Sequence, residues 1–123
     1  MNYFSLTNKN LTAGFKEAVI AGIAPDKGLY FPSNIPQLPQ NFIDNIEQYT
    51  NLEIAYQVIS PFVGNEIPEN ILKNIIEETL VFDFPCVEVE QNIYSLELYH
   101  GPTKAFKDVG ARFMSRCLGY FTR

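Results

Sequence analysis

Apolar residues recur at helical spacing in two neighbouring stretches in the middle of the chain. In the first stretch they are Leu52, Ala55, Tyr56, Ile59, Phe62 and Val63. In the second they are Ile71, Leu72, Ile75 and Ile76. Three- and four-residue steps of this kind predict two amphipathic helices. Pro61 falls in the last turn of the first helix, Gly64 is placed to end it, and Pro68 suits the first turn of the second.

The clearest helical pattern comes last in the sequence. Its apolar and small residues are Phe106, Gly110, Phe113, Met114, Cys117, Leu118 and Phe121. They share one helical face, whereas Arg112 and Arg116 lie on the opposite side. Thr103 is a candidate N-cap for this helix, which places Lys107 inside its first turn and Phe106 in the core. Asp108 and Arg112 are spaced for an i,i+4 ion pair.

Strand and turn signals surround these helices. Residues 3–6 predict a short strand, and Thr12 is a candidate N-cap for a first helix that Gly22 ends. The apolar face of that helix contains Phe15, Ala18 and Val19. Residues 29–31 predict another strand, which Pro32 terminates.

Polar and apolar residues alternate with period two over residues 86–90 and again over residues 93–98. Gln91-Asn92 between them has the length and polarity of a two-residue hairpin turn. The order of helices and strands along the chain therefore predicts the α/β class, as a mixed α+β arrangement.

Charge is distributed unevenly along the chain. Residues 1–99 carry four basic and thirteen acidic side chains, whereas residues 100–123 carry five basic side chains and one acid. The basic segment favours a small anionic ligand such as a phosphate, although a solvated basic helix face is the simpler alternative. The acidic remainder has no basic stripe, which argues against binding to nucleic acid.

Composition narrows the class of protein further. Hydrophobic residues make up 46% of the 123 residues, which is enough apolar surface for a folded core. The sequence contains neither a membrane-length apolar run nor a signal-peptide pattern, so we expect a cytoplasmic protein that does not bind membranes. Cys86 and Cys117 lack metal-binding spacing, and we expect two reduced, mostly buried thiols and no metal site.

The segment before the last helix is the candidate site, because α/β proteins bind ligands where a strand ends and a helix begins. Gly101-Pro102 predicts a turn, and Lys107 follows close to the start of the helix. A lysine there opposes the helix dipole at a cost of about 0.3–1 kcal/mol. Partial burial beside the apolar stripe would disfavour the ammonium form further, and a neutral amine can attack an aldehyde. The alternative is an ordinary surface lysine.

Residues 100–110, His-Gly-Pro-Thr-Lys-Ala-Phe-Lys-Asp-Val-Gly, resemble the lysine region of threonine synthases, which are pyridoxal-phosphate enzymes of fold type II. Residues 15–19 and 22–32 are similar to the beginning of the same family, and the two central helices look like its N-terminal domain. The sequence departs from the family pattern at Gly14, Lys27 and Lys104. Lys104 also introduces a second amine into the candidate loop.

The resemblance implies that Lys107 holds pyridoxal 5'-phosphate as a Schiff base and later moves protons as a free base. It implies the conversion of O-phosphohomoserine and water to threonine and phosphate. His100 and Thr103 would face the cofactor or the substrate phosphate, although a turn histidine and an N-cap threonine are the simpler interpretations. It also implies two domains, a family N-terminal domain over residues 1–84 and the first strand, loop and helix of the catalytic domain over residues 85–123.

The same resemblance places the glycine-rich phosphate-binding loop beyond Arg123, so we expect a fragment that is inactive alone and self-associates through uncovered core faces. Two other interpretations stay open at this stage. One is another fold type II enzyme, such as a threonine dehydratase or a cysteine synthase. The other is a non-catalytic module that binds an anion or a protein partner through the basic segment.

Overall fold

The computed structural model, which describes all of residues 1–123, contains five α-helices and five short strands. The helices are α1 (Phe15–Ala21), α2 (Gln40–Asp44), α3 (Asn51–Val63), α4 (Glu69–Thr79) and α5 (Asp108–Phe121). The strands are β1 (Tyr3–Ser5), β2 (Thr12–Ala13), β3 (Tyr30–Pro32), β4 (Cys86–Glu90) and β5 (Ile93–Leu96). A short 3-10 turn covers Ile46–Gln48. This mixed composition confirms the predicted fold class.

Strand β1 is the centre of a three-stranded antiparallel sheet in the order β2-β1-β3. The sheet is joined to the helices by Tyr3, whose hydroxyl donates a hydrogen bond of 2.8 Å to the carbonyl oxygen of Phe62 in α3. Burial raises the pKa of Tyr3 to about 12. The phenol therefore stays protonated and remains a donor at neutral pH.

Helix α3 follows its sequence signals closely. Thr50 and Glu53 form a reciprocal capping box at its start. Pro61 is accommodated inside the last turn, and Gly64 ends the helix with φ 65°. The predicted end of this helix at Gly64 is confirmed, whereas Pro68, predicted at the first helical position of α4, lies one residue earlier, at the N-cap.

The predicted N-cap at Thr12 is wrong, because Thr12 pairs with Phe4 in the sheet and Gly14 directly precedes α1. The first amide groups of α1 are instead satisfied from a distant part of the chain. The Glu66 carboxylate accepts hydrogen bonds from the backbone N–H of Phe15 at 2.6 Å and of Lys16 at 2.8 Å. A capping residue fifty positions away leaves no local pattern in the sequence.

The core lies where α1, α3, α4 and α5 meet. Its buried residues are Phe15, Val63, Ile67, Leu72, Ile75, Ile76 and Cys117. The predicted faces of α3, α4 and α5 supply most of them, together with Phe113 and Phe121 at the margin. Cys117 is fully buried, which raises the pKa of its thiol to about 11, but Cys86 is exposed, so the prediction of two buried thiols is half wrong.

Strands β4 and β5 form a separate two-stranded hairpin. The turn at Gln91-Asn92 is confirmed, with Asn92 at φ 62°, and β5 ends two residues earlier than the alternation predicts. Every residue of both strands is exposed, including Val89 and Leu96. The hairpin therefore contributes nothing to the core described above. None of the helices has the length and apolar character needed to span a membrane.

A tight loop after α1 depends on Asp26. Its carboxylate accepts from the Ser5 hydroxyl at 2.8 Å and from the Gly28 N–H at 3.0 Å. Gly28 has no room for a Cβ atom, which would collide with Ser5 Oγ. Lys27, one of the departures from the family pattern, has φ 67°, a conformation that glycine adopts more easily.

These contacts predict a contribution of Asp26 to acid sensitivity. The pKa of Asp26 lies below its ordinary value of 3.8, chiefly because the Ser5 hydroxyl donates to the carboxylate, while partial desolvation acts in the opposite direction. A lowered folded-state pKa stabilises the fold above the unfolded-state pKa, and this stability is lost as the pH falls through the folded-state pKa.

Asp26→Asn should therefore flatten the fall in thermal unfolding midpoint between about pH 5 and pH 2. Calorimetry across this range, with Asp83→Asn at an exposed aspartate as the matched control, measures the effect. A pH profile for Asp26→Asn that runs parallel to the unmodified protein would show that Asp26 does not contribute.

Candidate active site

The candidate site is the loop between the end of β5 at Leu96 and the start of α5 at Asp108. Lys107 lies at the N-cap of α5 with φ −68° and ψ −16°, and its carbonyl oxygen accepts from the Ala111 N–H at 2.9 Å. It therefore stands one residue before the first turn in which the sequence placed it. The positive end of the helix dipole is still directed at this position.

The side chain of Lys107 is exposed and takes part in no hydrogen bond or ion pair of the structure. The expected partial burial beside the apolar stripe of α5 is therefore wrong. Lys107 is exposed because α5 begins later than predicted, at Asp108, so Lys107 belongs to the loop and not to the packed helix. An unpaired amine at the end of a well-defined loop is free to react with a ligand.

Asp108 anchors this loop. Only 4% of its surface is exposed, and its carboxylate accepts from the Thr103 N–H at 2.9 Å and from the Thr103 hydroxyl at 2.6 Å. The predicted N-cap role of Thr103 is wrong, because its hydroxyl is a donor to a side chain rather than an acceptor for a helix amide. Asp108, the first residue of α5, therefore binds the loop through Thr103, whereas the sequence predicted that Thr103 would cap the helix.

The predicted ion pair between Asp108 and Arg112 is also wrong. Arg112 Nη2 donates to the backbone carbonyl of Glu78 at 2.7 Å, and Arg116 Nε donates to the Glu78 carboxylate at 2.8 Å. Both arginines therefore fasten α5 to the end of α4. This arrangement gives the helix behind Lys107 a fixed orientation.

Gly101 is packed against the anchoring carboxylate. A Cβ atom at this position would collide with Asp108 Oδ2 and would lie 2.9 Å from Phe82 Cε1. Three residues later, Lys104 has φ 59° and donates its N–H to the Gly101 carbonyl at 3.1 Å. The loop thus turns tightly, and it carries a second exposed amine at Lys104.

His100 belongs to a different cluster in the same loop. Its Nε2 lies 2.7 Å from Glu97 Oε2, and its ring stacks on Tyr99 with 4.7 Å between the ring centroids. Hydrogen bonding from Tyr99, and then from His100, lowers the pKa of Glu97, and the same carboxylate raises the pKa of Tyr99. The structure brings His100 to Glu97 and Thr103 to Asp108, but it joins neither of them to Lys107.

Phe106 is 65% exposed, so its predicted core position is wrong. It precedes α5 and therefore does not share the apolar face of that helix. Sequence analysis also missed the contacts of His100 with Glu97 and Tyr99 and the bonds between Thr103 and Asp108. Of these contacts, only the one made by Asp108 could have been suspected from the sequence. Asp108 is a carboxylate at the start of a predicted helix, five residues after a threonine that can donate a hydrogen bond to it.

The larger clefts of the surface, with volumes of about 260–450 Å³, lie elsewhere, and none of them is lined by His100, Thr103 or Lys107. No group of acidic, histidine or cysteine side chains is arranged to hold a metal ion. These residues present an amine on a rigid loop but do not themselves enclose a ligand.

Comparison with known proteins shows which family this chain is similar to. Residues 2–80 match a protein-family model described as threonine synthase N terminus. Threonine synthase from Haemophilus influenzae is 37% identical over 118 residues, which are 96% of this chain and 27% of that protein. The enzyme from Escherichia coli is 36% identical over 118 residues, or 96% of this chain and 28% of that protein.

Solved structures agree with the sequence relatives. The crystal structure of Escherichia coli threonine synthase matches with a TM-score of 0.93 and 34% identity, covering 99% of this chain and 28% of that one. A PLP-bound threonine synthase from Brucella melitensis matches with a TM-score of 0.90 and 36% identity, covering 98% and 27%. The chain spans little more than a quarter of the length of the proteins it matches.

Proposed function

This chain belongs to the threonine synthase family, and from that premise we propose that Lys107 attaches pyridoxal phosphate in the full-length protein that carries these residues. The observation that carries the proposal is the exposed, unpaired amine of Lys107 at the end of an anchored loop. In its neutral form the Nζ atom adds to the aldehyde carbon of the cofactor, and the aldehyde oxygen leaves as water.

The residues of this chain fit such a role. Lys107 has no ion pair that would have to break before the amine reacts. Once bound, pyridoxal phosphate supplies an electron sink for carbanion chemistry. When the amine of the substrate displaces it from the cofactor, the freed amine of Lys107 would accept and return a proton on the substrate.

The family implies a PLP-dependent lyase. The reaction we propose is cleavage of the carbon–oxygen bond to phosphate in O-phosphohomoserine and addition of water at the neighbouring carbon, which gives L-threonine and phosphate. This assignment concerns the full-length protein, because the present residues correspond to about 27–28% of the relatives. The 123 residues alone are expected to be inactive and to self-associate through exposed apolar side chains of the β4–β5 hairpin.

Two residues of the loop are proposed to act on the substrate side. His100 is held by Glu97 and Tyr99, which orients its ring without using both of its nitrogen atoms. Thr103 already donates its hydroxyl to Asp108, so in this arrangement only its oxygen lone pairs are available to a ligand. His100 is therefore the stronger candidate for contact with an anionic group.

We further propose that a first domain covers residues 1–84 and that residues 85–123 begin the catalytic domain. This division is supported by the family match over residues 2–80 and by the separation of the β4–β5 hairpin from the first sheet. A cytoplasmic location and the absence of nucleic-acid binding stay predictions from composition.

Product analysis tests the reaction. The full-length protein with pyridoxal phosphate and O-phosphohomoserine should release threonine and inorganic phosphate in equal amounts, and homoserine without the phosphate should not react. Conversion of threonine to a 2-oxo acid and ammonia, with no product from O-phosphohomoserine, would instead support a dehydratase. Reversible phosphate binding without attachment of the cofactor would support the non-catalytic module.

A further inference from the structure

We propose that Asp108 is a positioning residue, which closes the loop over residues 101–108 through Thr103 and thereby sets the direction in which Lys107 leaves the backbone. The inference deepens the proposed function and rests on cofactor attachment at Lys107. It assigns to Asp108 a role in the chemistry that is separate from its contribution to folding.

The Asp108 carboxylate binds Thr103 through both of its oxygen atoms. Asp108 is almost completely buried, and a buried carboxylate is costly unless hydrogen bonds satisfy it. Both of its oxygen atoms are bonded, Oδ2 to the Thr103 N–H and Oδ1 to the Thr103 hydroxyl. Hydrogen bonds to an ionised acceptor are stronger than those between neutral groups, so this pair of bonds fixes Thr103 relative to the start of α5.

Backbone hydrogen bonds shape the chain between Gly101 and Asp108. The Lys104 N–H donates to the Gly101 carbonyl, and the Asp108 N–H donates to the Ala105 carbonyl at 3.1 Å. The close approach of Gly101 to Asp108 leaves no room for a side chain there. The four residues between Thr103 and Asp108 are therefore bracketed by the bonds between these two residues. Within this stretch, the Lys104 N–H and the Ala105 carbonyl form further backbone hydrogen bonds.

Lys107 lies directly before Asp108, at the end of this bonded loop. Its carbonyl oxygen accepts from the Ala111 N–H, and the next residue, Asp108, is bonded to Thr103, whereas the side chain of Lys107 is exposed and unpaired. Covalent attachment needs the amine close to the aldehyde carbon, and a displacement of about 1 Å can lower a rate by about 100-fold. A backbone fixed by Asp108 confines the search for this geometry to the rotations of one side chain.

The experiment uses the full-length protein and two substitutions that weaken the contact between Thr103 and Asp108 from opposite ends. Thr103→Val removes the hydroxyl at nearly constant volume, and Asp108→Asn removes the charge at nearly constant shape. Thr103→Ser keeps the donor and serves as the rescue variant. Thr122→Val, which removes a hydroxyl bonded to the Leu118 carbonyl at the far end of α5, is the matched control.

Two readouts separate positioning from simple stability. Without cofactor, hydrogen exchange at the Thr103 amide should be faster in Thr103→Val and Asp108→Asn. With pyridoxal phosphate, the rate at which Lys107 attaches the cofactor, followed by absorbance, should fall about 10-fold or more in both variants. Thr103→Ser should recover most of this rate, Thr122→Val should not change it, and the double variant should be no slower than the slower single variant.

The outcomes distinguish the two proposals. Unchanged attachment rates in folded Thr103→Val and Asp108→Asn, even with lowered unfolding temperatures, would overturn the positioning role while leaving the proposed function intact. Failure of the unmodified protein to attach the cofactor at Lys107 would overturn the proposed function, and the positioning role with it. If Asp108→Asn does not fold, the comparison of Thr103→Val with Thr103→Ser decides the question by the same rates.

Discussion

Lys107→Ala in the full-length protein is expected to abolish attachment of pyridoxal phosphate and to lower kcat for threonine formation by about 1,000-fold or more. The substitution removes the amine that we propose as the attachment point and as the proton carrier, while the backbone at the N-cap of α5 can keep its conformation. Both effects are measured on one sample, by the absorbance of the attached cofactor and by steady-state assay of threonine release.

Lys104→Ala is the matched control for this prediction. It removes an exposed amine from the same loop, three residues before Lys107, and it lies at a position with φ 59°. We expect cofactor attachment and kcat to stay within about 2-fold of the unmodified protein, because alanine and lysine meet the same backbone strain at this φ and the Lys104 side chain takes part in no hydrogen bond or ion pair. Loss of attachment in Lys104→Ala together with its retention in Lys107→Ala would transfer the assignment to Lys104.

Leu72→Ala has the largest expected effect on stability. Leu72 is 2% exposed and belongs to the cluster in which α1, α3, α4 and α5 meet. Truncation of a buried leucine costs about 2–5 kcal/mol, because transfer free energy is lost and a cavity remains. Hydrogen exchange at the backbone amides of α3 and α4 measures the change in the free energy of opening of this region within the full-length protein.

Leu29→Ala removes the same atoms from a leucine that is 61% exposed. Its expected cost is below about 0.5 kcal/mol, which is typical of surface positions. Equal losses for Leu72→Ala and Leu29→Ala would show that the cluster around Leu72 does not hold this part of the chain together.

The elements that sequence predicted well are those whose causes are local. Helix α3 has its apolar stripe, its capping box at Thr50 and its terminating Gly64 within fifteen residues of each other. The β4–β5 hairpin has mostly alternating polar and apolar residues on both sides of a two-residue turn, with an irregular register between Glu88 and Glu90. In such segments neighbouring side chains alone select the backbone conformation, and no distant contact has to be known.

The sequence predictions were wrong where the local structure depends on a contact with a residue far away in the sequence. Thr12 looked like a cap, but Glu66 caps α1 from across the molecule, which leaves Thr12 free to pair in a strand. Arg112 looked like the partner of Asp108, but the end of α4 offers it the Glu78 carbonyl. Spacing along one helix cannot predict contacts that depend on how two helices pack.

At the candidate site, the sequence correctly predicted a loop between a strand and the last helix, but it did not predict the contacts within that loop. Helix α5 begins five residues after Thr103, so Phe106 is exposed and Lys107 stands at the N-cap instead of inside the first turn. The reason is the Asp108 carboxylate, which binds Thr103 and prevents the threonine from capping the helix. The motif resemblance proposes Lys107 as the cofactor lysine, whereas only the structure shows the bonds between Asp108 and Thr103 beside it.

The most direct test of the account is to reduce the complex of the full-length protein and pyridoxal phosphate with borohydride, which makes the lysine–cofactor bond permanent, and to locate the pyridoxyl group by peptide mass spectrometry. We predict that the label lies on Lys107 and nowhere else in residues 1–123. A label on Lys104 or on any other lysine, with Lys107 unmodified, would contradict the account.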